Sequence, residues 1–507
     1  MTLSALLSRQ ADRHPQKTAL MFENRRISYR ELDARAAATA ELLRAGGVGK
    51  GMSVAHLAFN DISFFEVLFA CSRLGAIMVP VNFRLTADEI RFQLANSAAH
   101  ALIYSGDFEQ TAEDLKAGSS GVRLWQRTGD AGLCPDAEAP AQTGVQGGHA
   151  RHAPDDCLMM IHTSGTTGRP KAAMLSERNI LGTSLNQISD FSLSVHDTTL
   201  TVAPLFHAGG SLIFSVPLLI LGGTVILHRH FDPATAVSAL GHDGVTCMFA
   251  APAMWQHIIS LLEGTDRRSP HLRICVSGGA AETEKSMIRF REIFGVPLMQ
   301  GYGLSECSST STILRAEHAA DRLGSVGKPA LTNRLRIVMP DGRDAAPGEV
   351  GEIIQNDDTV MMGYYNDEAA TRETIRDGWL HTGDLATTDA QGFIYIKGRK
   401  KEMIISGGEN IYPAEVEAVL NAHPDIVESA VVGADHAEWG ETPVAFVVAT
   451  RGANPDADAI IGYCKKNIAS YKKPSRVIFV DELPRNPSGK VKKFELRDRL
   501  KTGPDRD

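Results

Sequence analysis

The sequence predicts an α/β protein: a large N-terminal domain of mixed, mainly parallel sheets with helices, then a small mobile C-terminal α+β domain. Three observations lead there. Short apolar runs alternate with helical patterns through the first part of the chain. Three of the apolar runs are each followed by a loop of small and polar residues. Near residue 400 the texture changes, and the remaining stretch of roughly 100 residues is long enough to fold as its own domain.

In chain order, Ser28 with Glu31 and Thr86 with Glu89 fit the capping box, in which a hydroxyl and a carboxylate satisfy free amides at a helix start. The first opens an Ala/Leu-rich helix ending near Gly46-Gly47, and strands are expected at 54–57, 77–81 and 101–104. Residues 116–156 turn to Gly, Ala, Pro and Ser and read as a surface connection. The uncharged stretch 208–227 is broken by Pro217 and Gly222-Gly223. It therefore reads as a buried helix, a tight turn and a strand at 224–227, because a membrane span needs about 20 continuously helical residues. The run GRKKEMI (398–404) reads as a solvent-facing connector. After it come a helix at 413–421, strands near 428–432 and 444–448, a helix near 457–469 and a strand at 476–480.

Composition narrows the function. The 507 residues carry 52 Lys+Arg against 60 Asp+Glu, a formal net charge of -8, with 43% hydrophobic residues. That excludes wholesale disorder and fibrous repeats, and it suits a general nucleic-acid binder poorly. Seven cysteines lie far apart with no CxxC pair. This argues for a reducing compartment, the cytoplasm, and against a structural zinc site or a disulfide framework. The opening MTLSALLSRQADRHPQ lacks the charged start, continuous apolar core and cleavage site of a signal peptide, so a soluble protein is expected.

The three loops are the most informative features. The run 158–161 leads into HTSGTTGRPK, 272–276 into SGGA and 297–299 into QGYGLSE. Ligands bind beyond the carboxyl ends of strands in open α/β sheets, so these loops can converge on one site. In the first, Gly165 and Gly168 let backbone amides approach an oxyanion, Thr163, Ser164, Thr166 and Thr167 add donors, and Lys171 adds a compact charge. The spacing is not that of a Walker A loop, and a Ser/Thr/Gly surface turn is the plainer alternative.

The segment TSGTTGRPK resembles the phosphate-loop signature of the acyl-adenylate-forming superfamily, which includes acyl-CoA synthetases, adenylation domains of peptide synthetases, and luciferases. Five further segments match in order. APLFHAGG (203–210) resembles the acyl-site motif and QGYGLSE (300–306) the nucleotide and metal motif. GWLHTGDLA (378–386) is similar to the ribose motif, GRKKEMIISGGENIYPAEVE (398–417) to the hinge motif, and PRNPSGKVKK (484–493) to the catalytic-lysine motif. Two departures are small: Ala172 stands where many relatives have Gly, and Ser305 replaces the commoner Thr; the hinge position holds Lys401 rather than Asp, and both types occur among similar enzymes.

The resemblance implies an AMP-forming carboxylic acid–CoA ligase with domains 1–398 and 403–507 about a hinge at 399–402, pivoting at Lys401. It implies ATP, Mg²⁺ and CoA, a small-molecule acid as partner, and a homodimer as one arrangement open to the chain. ATP or AMP would meet Thr163, Ser164, Gly165, Thr166, Thr167, Gly168, Lys171, Gly279, Ala280, Gln300, Gly301, Tyr302, Gly303, Ser305, Asp384, Ile396 and Arg399. Read chemically, Tyr302 can lie against a purine, although an isolated tyrosine is more often core. Glu306, with Thr163, offers Mg²⁺ hard oxygens, or else caps a helix. Asp384 can accept from both ribose hydroxyls, or simply occupy a turn.

Lys490 would reach the acyl carboxylate and the α-phosphate, although Lys492 and Lys493 beside it suggest a solvated basic tail. His207 would border the acyl carboxylate, unless it is a packing residue. Phe206, His207, Ser211, Gly278, Gly303 and Leu304 would line the acyl pocket. Residues 463–501 hold 12 Lys/Arg against 4 Asp/Glu, a basic zone suited to the phosphates of CoA. Trp439 and Tyr471 would stack on its adenine, Lys472, Lys473 and Arg84 would meet its phosphates, and Gly407-Gly408 would leave room for pantetheine. Small and apolar pocket residues suit an aliphatic chain or a phenyl ring. A medium- or long-chain fatty acid is the expectation, with a cinnamate- or benzoate-type acid second and transfer to a carrier-protein thiol third.

Overall fold

The structure is a computed structural model describing residues 1–118, 121–128, 153–163, 170–265, 269–280, 282–453, 455–485 and 491–502. The chain divides into two compact units: Met1–Glu282, Met287–Leu335 and Gln355–Leu380 form the first, and Thr283–Ser286, Arg336–Ile354 and His381–Asp507 the second. Residues 399–402 lie inside the second unit.

In the first unit a nine-stranded sheet runs in the order Lys328–Pro329, Thr312–Leu314, Leu298–Tyr302, Ile274–Gly278, Cys247–Ala250, Thr198–Thr201, Thr224–Leu227, Thr18–Phe22, Arg25–Ser28. The six central strands are parallel and the outer ones antiparallel. Parallel neighbours need crossovers, and the helices Pro233–His242 and Pro252–Leu262 provide two of them. The second crossover is anchored by Trp255, fully buried, whose indole N–H donates to the Val276 carbonyl at 3.1 Å.

A seven-stranded sheet of the same unit runs Gly363–Tyr364, Lys171–Ser176, Cys157–Thr163, Ile77–Pro80, Ser53–Leu57, Ala99–Tyr104, Leu124–Arg127. The last strand departs from the expected surface connection across 116–156. It pairs parallel with Ala99–Tyr104, because Leu124 and Trp125 reach apolar cores that the surrounding Gly/Ala/Pro/Ser composition masks. Helices Leu3–Arg13, Tyr29–Ala45 and Ser63–Leu74 bury Leu3, Leu7, Leu32, Leu43 and Phe65 in one core.

Thr86 and Glu89 form the full capping box, whereas at Ser28 only half of it forms. The Ser28 hydroxyl accepts from the Glu31 amide at 3.2 Å, but the Glu31 carboxylate turns to Arg35 at 2.9 Å instead. Residues 208–227 form the expected helix, turn and strand, with one wider π turn at Ser211–Ser215. Gly222 makes the turn at φ 105°, a conformation open to glycine. Among the described residues no helix is long and apolar enough to cross a membrane.

In the second unit, Ile394–Arg399 pairs antiparallel with Trp379–Thr388. Another sheet runs Glu409–Ile411, Ile404–Ser406, Gly440–Ala449, Ile426–His436, with Arg476–Phe479 parallel to Gly440–Ala449. Successive side chains of a strand point to opposite faces. Val431, Ala445 and Val447 accordingly join a core with Val416, Leu420 and Ile460, while Ala430, Val432, Val444 and Phe446 join another with Leu483, Leu496 and Leu500. The run 398–404, expected as a connector, is only one 3₁₀ turn of connection, Lys400–Glu402. Burial of Ile404 and Ile411 draws the next residues into a hairpin.

Candidate active site

The described ends of the three loops meet in the first unit. Strands Ile274–Gly278 and Leu298–Tyr302 pair with Gly278 opposite Gly301, where a Cβ on Gly278 would lie 2.9 Å from the Gly301 carbonyl oxygen. The first loop springs from a different element, the antiparallel hairpin of Cys157–Thr163 with Lys171–Ser176. It is drawn in by Glu306: Thr163 donates to Glu306 Oε1 at 3.2 Å, and Tyr364 donates to the same oxygen at 2.9 Å. Lys171 Nζ lies 5.1 Å from the centre of the Tyr364 ring, a cation–π contact. Burial and the neighbouring Glu306 charge raise the Tyr364 phenol above its ordinary pKa, which keeps it protonated as a donor. Ser164, Gly165, Thr166, Thr167 and Gly168 lie outside the described residues.

The residues after Tyr302 turn sharply. A Cβ on Gly303 would sit 2.1 Å from the Ser309 carbonyl oxygen, so glycine is required there, and Ser308 and Ser309 take positive φ of 52° and 92°. Ser305 begins the short turn Ser305–Cys307 that carries Glu306, whose carbonyl accepts from the Met361 amide at 2.8 Å. Gln300 is buried beside Met287, Gly279 has φ 84°, and Ala280 is exposed. Glu306 suits Mg²⁺ chemically: its Oε2 has no hydrogen-bond partner among the described residues, and Mg²⁺ often takes one protein carboxylate plus substrate phosphates. Among the described residues no cluster of three or more His, Cys, Asp or Glu offers an all-protein cage.

The acyl-side residues are carried on the turn after Thr198–Thr201. A Cβ on Gly210 would fall 2.2 Å from the Pro204 carbonyl oxygen, so the chain can fold back only with glycine there. The turn places the rings of His207 and Phe206 with centres 4.2 Å apart. Phe206 meets Phe83 edge-on at 5.2 Å, and Arg84 stands 5.1 Å over Phe83. Ser211 is fully buried and donates to the His207 carbonyl at 3.2 Å, while Leu304 packs on the main core. Asn60, which sequence reasoning did not single out, fixes this turn. Its amide donates to the Ala203 and His228 carbonyls at 3.1 Å each and accepts from the Leu205 amide at 2.9 Å. Phe249 and Tyr364 were missed as well. Phe249 Cε1 lies 3.0 Å from where a Cβ on Gly209 would be, and its Cε2 lies 3.2 Å from where one on Gly278 would be. The continuous apolar run CMFA (247–250) marks Phe249 only as a strand residue.

In the second unit, Asp384 and Arg399 face each other across paired strands, with Arg399 Nε 2.6 Å from Asp384 Oδ1. Ile396 lies on the same strand, opposite Ala386. Glu352 accepts from the Gly383 amide at 3.1 Å and from Lys400 at 3.0 Å. Burial would raise the Glu352 carboxyl, but Lys400 and His381 together outweigh it and hold the carboxyl below its usual value. Lys401 is exposed on the following turn. Gly407 and Gly408 form the tip of the hairpin, and a Cβ on Gly407 would meet the Trp439 ring at 2.8 Å. Trp439 and Tyr471 are about half exposed. Lys473 follows the turn Ser470–Lys472, whose Lys472 is held by Glu415 at 2.7 Å. Arg84 belongs to the other unit, and Lys490 lies outside the described residues.

Two family models match the chain, one over most of its length and one near its C-terminal end. Residues 7–365 match the AMP-binding enzyme model and 415–490 its C-terminal domain. The chain belongs to the AMP-binding enzyme family, and within it is an acid–thiol ligase. It is 38% identical to a feruloyl-CoA synthase of Amycolatopsis sp over 492 residues, covering 97% of this chain and 98% of that one. It is 37% identical to an indoleacetate–CoA ligase of Aromatoleum aromaticum, covering 98% of each. The fold matches o-succinylbenzoate CoA synthetase from Bacillus subtilis, solved with its acyl-adenylate intermediate, with TM-score 0.85 and 33% identity, covering 98% of this chain and 97% of that one.

Proposed function

We propose that this protein joins an aromatic carboxylic acid to CoA through an acyl-adenylate. The observation that carries the choice of acid is that full-length relatives are named for ring-bearing acids, feruloyl and indoleacetate among them. The aryl reading therefore takes the place of the medium- or long-chain fatty acid.

In the first half-reaction a carboxylate oxygen attacks the α-phosphorus of ATP, the bond to the β-phosphate oxygen breaks, and pyrophosphate leaves. Thr163, Lys171 and the loop between them bind phosphate oxygens, and Tyr302 meets the base. Asp384 and Arg399 hold the ribose, and Lys490 neutralises the oxygens that gain charge. Glu306, steadied by Thr163 and Tyr364, holds Mg²⁺, which supplies charge neutralisation at the phosphates. The part of the chain beyond Lys401 then turns about that residue, withdrawing Lys490 and presenting Gly407-Gly408. The CoA sulfur attacks the acyl carbonyl carbon, AMP leaves, and the thiol proton passes to water. The protein works in the cytoplasm, which suits six described cysteines that are all free thiols, five of them buried.

The test is CoA-dependent AMP release with cinnamate-, benzoate- and arylacetate-type acids beside straight-chain acids of graded length. The best aromatic acid is expected to exceed the best straight-chain acid in kcat/KM by about tenfold or more. The reverse ranking sinks the aryl reading, and acyl transfer to a carrier-protein thiol but never to free CoA sinks the CoA reading.

A further inference from the structure

Lys493 reads in the sequence as part of a solvated basic tail, and its surroundings contradict that. Its ammonium lies 2.7 Å from Glu417 Oε1 and 3.2 Å from Glu402 Oε2, with only 16% of the side chain exposed. Its neighbour Lys492, just ahead of the helix Lys493–Thr502, behaves as a surface residue should, pairing with Glu495 of that helix at 2.8 Å. The two carboxylates on Lys493 come from separate elements: Glu402 closes the turn Lys400–Glu402, and Glu417 belongs to the helix Pro413–Asn421. Glu417 is itself fixed, accepting from the Val431 amide at 2.7 Å.

The same lysine ends a closed stem. Arg485 and Val491 form an isolated antiparallel bridge, and the Lys492 amide donates to the Pro484 carbonyl at 2.7 Å. Arg485 also pairs with Glu428. Lys490 immediately precedes Val491 in the sequence and stands three positions before Lys493. Glu402, in turn, is the first residue after the proposed pivot at Lys401.

We infer that Lys493 is a positioning residue which ties the stem bearing Lys490 to the first residue beyond the pivot, so that the stem and the turn at 400–402 move as one body. The inference rests on the proposed role of Lys490. A long stem free at this end would carry Lys490 into the adenylation site with its aim spread over many orientations, and a misplaced charge loses its effect on the transition state. Burial would lower the Lys493 pKa, but the two carboxylates outweigh it and raise it, so the tie stays charged throughout the working pH range. Thioester formation uses the Gly407-Gly408 face and has no need of an aimed Lys490.

The full-length chain is assayed for ATP–pyrophosphate exchange with its best acid and, separately, for thioester formation from supplied acyl-adenylate. Lys493→Met is expected to lower the exchange kcat at least tenfold with KM for ATP within twofold, and to leave thioester formation within twofold. Lys493→Arg is expected to recover exchange to within threefold of the unaltered chain. Should Lys493→Met fail to fold by circular dichroism, Glu402→Gln removes one arm of the tie and is expected to cost at least threefold in exchange alone. Exchange within twofold of the unaltered chain in a folded variant, or parallel loss of both half-reactions, overturns the inference alone. An unaltered chain inert toward every acid, or Lys490→Ala with full exchange, overturns it together with the proposed function.

Discussion

A Cβ placed on Gly209 or on Gly278 would meet the same ring, that of Phe249, at 3.0 and 3.2 Å. Two segments 69 positions apart in sequence are thus kept bare to admit one side chain. If these segments wall the acyl pocket, the ring sets its depth, and Phe249→Ala opens space for a longer acid. The expected outcome is a rise of about tenfold in the kcat/KM ratio of a long straight-chain acid over the preferred aromatic acid, read from competing substrates. An unchanged ratio removes Phe249 from the pocket wall. The sequence marks glycines readily, because a turn or a close approach selects against every Cβ, but it does not say which ring fills the space. Phe249, Asn60 and Tyr364 escaped for that reason: each acts through partners distant in the chain, Tyr364 on Glu306 and Asn60 on residues 203–205.

Elements were legible where pattern and punctuation agree. The strands at 53–57, 77–80 and 99–104 alternate with helices, one of them opened by the capping box at Thr86, and the helix at 413–421 begins at a proline. Leu124–Arg127 was not legible, since four residues in a Gly/Ala/Pro/Ser stretch carry too little periodicity and only the neighbouring strand supplies the missing hydrogen bonds. The hairpin Ile404–Ser406 with Glu409–Ile411, which begins at the end of the charged run 398–404, was not legible for a similar reason, since its strands are only three residues each. Its tip matters to function. Gly407 has φ 58°, a left-handed conformation that costs an alanine roughly 1 kcal/mol, and an added Cβ would press on Trp439. Gly407→Ala is expected to slow thioester formation from supplied acyl-adenylate severalfold while ATP–pyrophosphate exchange stays within twofold. Equal loss in both assays would assign Gly407 to folding rather than to the CoA path.

For the whole molecule, one site serving two reactions requires groups that are present for one step and absent for the next. In the proposed mechanism Lys490 is such a group, used for adenylation and withdrawn before thioester formation. Lys490→Ala is expected to lower acyl-adenylate formation by at least a hundredfold and to spare thioester formation from supplied acyl-adenylate. Parallel loss in both assays would contradict a division of labour between the two steps. The amino-acid sequence by itself determined the α/β class, the order of the motifs and the glycines that its turns demand, because each of these depends on residues within a few positions of one another. Only the tertiary structure decided that Thr163 and Tyr364 share one oxygen of Glu306 and that Lys493 sits between Glu402 and Glu417. Those contacts join residues dozens to more than a hundred positions apart. Their closeness follows from strand pairing and core packing, which a linear pattern of residue types does not encode.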